Sequence, residues 1–160
     1  MYSIPGFYGW VSYSYLEAMQ DIINDTTGSF PRNTDQKHTL ALVGDFDLGS
    51  QWNLAVRYTY GSGYPYTPQN AQYNSTTNQW NWSSGAPNSE RLPSYICVDI
   101  RFTKSFDMFG LATSAFLDVS NLLMAKNIIN YQYYIDNNRP AKDGVNLPPI
   151  IPSVGISVRF

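Results

Sequence analysis

The sequence predicts an all-β fold, an antiparallel meander of about six long strands, and three observations carry that reading. Apolar and polar residues alternate with period 2 in six separate stretches, the signature of strands that are apolar on one face. Aromatic residues make up 16 % of the chain and charged residues only 14 %, against roughly 25 % charged in typical globular domains. The connections between the stretches alternate between short and long.

The strands read in order as FYGWVSYSY (around Phe7 to Tyr15), HTLALVGDFD (His38 to Asp47), WNLAVRYTY (Trp52 to Tyr60), YICVDIRFTKSF (Tyr95 to Phe106), LATSAFLDVSNL (Leu111 to Leu122) and Pro152 to Phe160. Most have the roughly 9–11 residues that a tilted strand needs to cross a bilayer. One face collects Leu40, Leu42, Phe46, Trp52, Leu54, Val56, Tyr58, Ile96, Val98, Ile100, Phe102, Leu111, Leu117, Val119 and the alternate residues from Val154 to Phe160. The other collects Thr39, Asp45, Asn53, Arg57, Asp99, Arg101, Thr103, Ser114, Asp118, Ser157 and Arg159. The apolar face carries almost no charge, Lys104 excepted.

Two connections are tight. A three-residue loop at Gly49 to Gln51 pairs Leu48 with Trp52 and Asp47 with Asn53. A two-residue loop at Met108-Phe109 pairs Asp107 with Gly110. The other three connections, about 16–37, 61–94 and 123–151, are long and rich in Asn, Ser, Thr, Pro, Gly and Tyr. Loops of that length are uncommon in compact soluble domains. Short and long connections in strict alternation are the pattern of a transmembrane β-barrel with short periplasmic turns and long external loops. The chain is therefore read as a partial barrel wall, and LEAMQDII (Leu16 to Ile23) as a short helix on the first loop.

Composition excludes several classes. A net charge of -2 argues against nucleic acid, which wants basic patches. No apolar run approaches the roughly 18 residues of a transmembrane helix. A single cysteine, Cys97, rules out an internal disulfide. The opening MYSIPGFYGW has neither the basic start nor the apolar segment of a signal peptide.

Several stretches together resemble the C-terminal part of TonB-dependent receptors, the gated transporters of the bacterial outer membrane. FPRNTDQKHTLALVGDFDLGSQWNLAVRYTYGSGYPYTP is similar to a strand–turn–strand near their C-terminal end. LPSYICVDIRFTKSF is similar to the next strand, with Cys97 where the family usually carries a polar or basic residue. FLDVSNLLMAKNIINYQYY resembles the penultimate strand, Asn121 matching an Asn-Leu pair, and Phe160 matches the closing aromatic. The resemblance covers nearly the whole chain, so residues 1–160 are read as the C-terminal part of a barrel whose plug domain and N-terminal strands are absent. It implies a Gram-negative outer-membrane location and uptake of a scarce nutrient (a metal chelate, cobalamin or glycan), with transport not expected from this part alone. The implied partners are outer-membrane lipid, the barrel assembly machinery and, only through the missing N-terminal part, TonB. It also implies that Val154, Ile156, Val158 and Phe160 form the signal read by that assembly machinery. No cofactor, metal site or enzymatic activity is expected.

The candidate site residues follow from faces and loops. Arg57, Asp99, Arg101, Asp118 and Arg159 are expected to face the lumen, either lining a substrate path or pairing with one another. Tyr64, Tyr66, Tyr73, Trp80 and Trp82 are candidate ligand contacts on an external loop, or else pack the loops together. Tyr13, Tyr15, Tyr58, Tyr60, Trp52 and Phe160 lie near strand ends on the apolar face, where aromatic girdles meet the membrane interfaces. His38, the sole histidine, follows Asp35 by three residues and is read as a polar residue at a strand entry. The competing readings are a soluble β-sheet module for carbohydrate or another ligand, and a barrel enzyme using His38 as base.

Overall fold

The computed structural model describes residues 4–23 and 26–160. Six long strands form one antiparallel sheet in chain order: β1 (Phe7–Tyr15), β2 (His38–Gly49), β3 (Trp52–Gly61), β4 (Tyr95–Met108), β5 (Leu111–Ser120) and β6 (Ile151–Arg159). Each strand pairs with its sequence neighbour, and β1 and β6 are open edges. The expected all-β meander is therefore present, as an open sheet.

Residues directly opposite in an antiparallel ladder share a face. Registers such as Tyr13↔Leu40↔Tyr60, Leu42↔Tyr58 and Phe102↔Leu117↔Val154 set the apolar residues on one side of all six strands. The other side carries Asp45↔Ala55↔Arg101↔Asp118 and Arg57↔Asp99. Aromatics gather at both ends of the apolar side. Phe7 packs at a tilt against Phe46 (ring centroids 4.9 Å apart) and Trp52 stacks on Phe102 (4.8 Å) at the turn end. Tyr13 and Tyr15 flank His38 at the loop end.

No second layer covers the apolar side. Among the described residues, the buried apolar side chains are Phe30, Pro65, Leu92 and Cys97. Val154 is 81 % exposed, Val11 71 % and Ile156 68 %. The accessible surface of 11388 Å² is about 40 % above the roughly 8,100 Å² that a compact monomer of 18.1 kDa would show.

Three sequence expectations are corrected. Gly49, not Leu48, pairs with Trp52, while Asp47↔Asn53 holds as expected. Asp47 Oδ1 accepts from the Gly49 amide at 2.9 Å, Gly49 takes a φ of 76°, and Leu48 is squeezed out of the ladder as a bulge. The turn itself is Ser50-Gln51, both with positive φ, the twist that suits a two-residue hairpin. The second tight turn is Phe109-Gly110 rather than Met108-Phe109, with Met108↔Leu111 and Asp107↔Ala112. It too has positive φ at both central residues, which glycine adopts without strain. The register slips by an even number of residues, so every side chain keeps its assigned face.

The helix expected over Leu16 to Ile23 does not form. Met19–Gln20 instead pairs with Phe30–Pro31. The Ala18 amide donates to Asp35 Oδ1 at 2.7 Å and its carbonyl accepts from the Arg32 amide at 2.8 Å. A backbone committed on both sides to the returning loop has nothing left for a helical turn. The other long connections are also built from strands. Gln69–Asn74 pairs with Gln79–Ser84, Pro65–Tyr66 with Glu90–Arg91, and Ile128–Asp136 with Arg139–Asn146.

The turn geometry gives a direct check. Replacing Gly110 by Val forces a β-branched residue to a φ of 77° and is expected to destabilise the β4–β5 hairpin by about 1–2 kcal/mol. Urea titration in detergent micelles reads the difference, and Thr113→Ser in the adjoining strand serves as a mild control.

Candidate functional site

The three long connections rise from one end of the sheet and are tied to one another by polar contacts. The central tie is Asp35, the largest fully buried side chain among the described residues. Its carboxylate pairs with the Arg91 guanidinium. Arg91 also donates to the Asp35 carbonyl at 2.7 Å and the Gly63 carbonyl at 3.1 Å. Burial opposes charge on Asp35, but the Ala18 amide, the Arg91 hydrogen bond and the Arg91 and Lys37 charges outweigh it and hold the carboxyl below its ordinary range. Asn88 adds a second tie, donating to the Pro31 carbonyl at 2.7 Å.

Gln36 knits this junction to the sheet. It donates to the Ser62 carbonyl at 3.0 Å and accepts from Thr39 and Tyr64 hydroxyls, each at 3.2 Å. At Gly63 the chain passes so close to Leu92 that a Cβ would overlap the Leu92 carbonyl. Glycine is required there by close approach of backbone rather than by an unusual φ.

The third connection is anchored by asparagines. Asn127 binds both the amide (3.0 Å) and carbonyl (2.8 Å) of Ile96, mimicking a paired strand. Asn121 takes a φ of 53°, accepts from the Ala125 amide and donates to the Ala125 carbonyl, each at 3.0 Å. Asparagine tolerates that conformation better than most residues. Lys142 joins the second and third connections: it lies 4.4 Å from the Tyr131 ring centroid, donates to Tyr66 Oη at 3.1 Å and pairs with Glu90 at 3.8 Å. Tyr66 also hydrogen-bonds to Glu90. Burial, with help from Glu90, pushes the Tyr66 phenol well above its ordinary range.

Beneath these ties, on the polar side of the sheet, lies a cavity of about 820 Å³. Its walls come from all three connections and the strand ends below them: Asn33, Thr34 and Gln36 from the first, Tyr64, Tyr66 and Asn88 from the second, Ile128 and Asn130 from the third, and Thr39 and Thr59 from the sheet.

The structure distributes the sequence candidates unevenly. Tyr64 and Tyr66 line the cavity. Tyr73 packs at a tilt against Trp80 (5.3 Å), Trp82 meets Tyr133 edge-on (5.7 Å), and the Trp80 indole donates to the Asn138 carbonyl at 3.2 Å. Those three aromatics pack the loops on one another. Arg57 donates to Asp99 at 2.6 and 3.0 Å, and Arg101 forks onto Asp118 at 2.6 and 2.7 Å, all on the polar face of the strands. Arg101 also covers the Phe116 ring at 4.4 Å. Arg159 sits on the same face at the turn end, opposite Ala112. Val154, Ile156 and Val158 share the apolar face of the edge strand β6, and Phe160 beyond them is fully exposed.

Cys97 is buried on the polar face and donates to Asp99 Oδ1 at 3.1 Å. His38 Nδ1 lies 2.9 Å from Tyr13 Oη on the apolar face. Asp35 is committed to Arg91, so the Asp35–His38 pair that base catalysis would need is not assembled. Asn33, Thr34, Asn88, Arg91 and Asn130 escaped sequence reasoning, because isolated polar residues in loops carry no periodic signal.

The comparisons with known proteins return nothing: no family model, curated protein or solved structure matches this chain.

The Asp35–Arg91 tie predicts a pH response with a definite sign. A carboxyl held below its ordinary value of 3.8 stabilises the junction above that pH, and the contribution is lost as pH falls through the lower folded value. Protease cleavage within residues 16–37 should therefore accelerate below about pH 4. Asp35→Ala should raise cleavage at neutral pH by about thirtyfold, the equivalent of about 2 kcal/mol for a lost charged hydrogen bond. Unchanged cleavage in the variant would show that the junction does not depend on this pair.

Proposed function

We propose that this chain forms wall and external loops of an outer-membrane β-barrel transporter of the TonB-dependent receptor type, serving uptake of a scarce nutrient. One observation carries the reading: an apolar face with a single charge, Lys104, runs uncovered across all six strands, while Arg57–Asp99 and Arg101–Asp118 pair strand to strand on the opposite face. In water such a face is a liability. In lipid it is the outer surface that a barrel requires.

Three further features support it. The strands run from 9 to 14 residues, enough to span a bilayer when tilted. Aromatics sit at both ends of the apolar face with aliphatic residues such as Val11, Leu42, Val56, Ile100 and Leu117 between them, as girdles and a hydrocarbon band would. The two tight turns lie at one end and the built-up loops at the other. Arg57, Asp99, Arg101, Asp118 and Arg159 then face the lumen, and the loop cavity opens to the external side.

Six strands with two open edges do not close a cylinder. The smallest single-chain barrels have about 8 strands, and edges in lipid leave backbone groups unpaired. Closure takes strands beyond these six, pairing with β1 and β6.

Partitioning tests the proposal. The chain should sediment from detergent-free buffer, keep its β-type circular dichroism in micelles and resist carbonate extraction from phospholipid vesicles. Val56→Arg, in the aliphatic band between the two aromatic ends, should weaken vesicle retention, since a cation on the lipid face at the midplane costs about 2–4 kcal/mol. A monodisperse monomer in plain buffer would overturn the reading in favour of a soluble module.

A further inference from the structure

We propose that the loop cavity is a binding site for a neutral oligosaccharide. The proposal rests on the external placement of the loops argued above, and it narrows the ligand to one chemical class.

The lining decides the class. Among the described residues, no charged side chain lines the cavity. The two cations that tie the loops together are engaged elsewhere: Arg91 on Asp35, and Lys142 on Glu90 and Tyr66. A carboxylate, phosphate or anionic metal chelate entering here would lose water and meet no counter-charge, which is strongly unfavourable. What the walls do offer is neutral hydrogen-bonding capacity. The side chains of Asn33, Thr34 and Thr59 make no hydrogen bond to other described residues, and Asn130 keeps its amide N–H groups free after accepting from the Tyr131 amide at 2.8 Å. Amides and hydroxyls of this kind match a ligand that bears many hydroxyls and no charge.

The remaining walls are rings and aliphatic carbon. Tyr60, Tyr64, Tyr66 and Tyr95 line the cavity, the Tyr66 ring also packing against Tyr131 (5.1 Å), and each tyrosine combines an apolar ring with a polar edge. A pyranose is built the same way, with C–H groups on one face and hydroxyls around its rim. A purely apolar ligand would strand the unpartnered amides and hydroxyls, each at the cost of an unmet hydrogen bond. The volume of about 820 Å³ falls within the roughly 300–1,000 Å³ of small-ligand sites.

The test uses the whole chain in detergent micelles, with tryptophan fluorescence and calorimetry as readouts. The probes are neutral malto-, xylo- and manno-hexasaccharides, and oligogalacturonate as their acidic counterpart. At least one neutral hexasaccharide should bind, and oligogalacturonate should bind at least tenfold more weakly. Asn130→Ala and Thr34→Val should each weaken binding by about five- to tenfold, as lost hydrogen bonds do. Asp107→Asn, at the turn end of the sheet and away from the cavity, should leave affinity unchanged. Circular dichroism in micelles confirms that each variant is folded. Failure of all three neutral probes, or preference for oligogalacturonate, would overturn the assignment. Sugar binding by a chain that stays soluble in buffer would support this site while overturning the membrane reading, so the two failures are separable.

Discussion

The backbone ladder is the interaction on which everything else in this molecule depends. A soluble domain of this size would be held by a core between two layers. Here four apolar side chains are buried among the described residues, and the largest fully buried side chain of any kind is a carboxylate. The five strand pairings between β1 and β6 hold the chain together, and side chains follow from their registers. A slip of one residue in any pairing would turn every apolar residue of that strand to the polar side. Register is therefore defended at both ends: by the two turns of positive φ below, and above by Asn127 clasping Ile96 and Gln36 clasping Ser62.

A ladder without a second layer hands part of its stabilisation to the surroundings. Burial of the apolar face at roughly 25 cal/mol per Å² is realised only against another apolar phase. The polar face has the opposite need. Four of its charges pair strand to strand, Arg57 with Asp99 and Arg101 with Asp118, and Asp99 is fully engaged: Oδ2 takes Arg57 while Oδ1 takes the Cys97 thiol and the Asn121 amide. The sheet is thus two-sided, with an uncovered apolar face and a polar face that carries the paired charges Arg57–Asp99 and Arg101–Asp118.

The parts of this design that were legible in the sequence are those written in local periodicity. Strand positions and faces came from alternation, and Leu42, Val56, Phe102 and Leu117 lie where alternation put them. The turns were half legible. Asp47↔Asn53 followed from loop length, but the Gly49 bulge depends on a positive φ that no spacing rule displays. LEAMQDII misled because its helical spacing is local, while the forces on it are not: Asp35, seventeen residues from Ala18, claims the backbone amide there. The cavity was illegible for the same reason. Asp35 and Arg91 are 56 residues apart, and nothing near either one announces the other.

Those long-range ties also explain why the loops hold a cavity at all. Loops this long without internal order would lose much conformational entropy on gripping a ligand. Here that ordering is done beforehand. Paired hairpins stiffen each connection, Asp35–Arg91 and Asn88–Pro31 lock the first to the second, and Lys142 and Trp80 lock the second to the third. A site held in this way binds without a folding step, so more of each contact appears as affinity. The locking also shapes the chemistry of what is bound. Charged side chains make the strongest ties, and each one used as a tie is withdrawn from the cavity wall. Arg91 faces Asp35, and Lys142 faces Glu90 and Tyr66. Neutral amides, hydroxyls and tyrosine rings are left to meet the ligand. The rigidity of the loops and the neutrality of their cavity are two results of the same set of ion pairs.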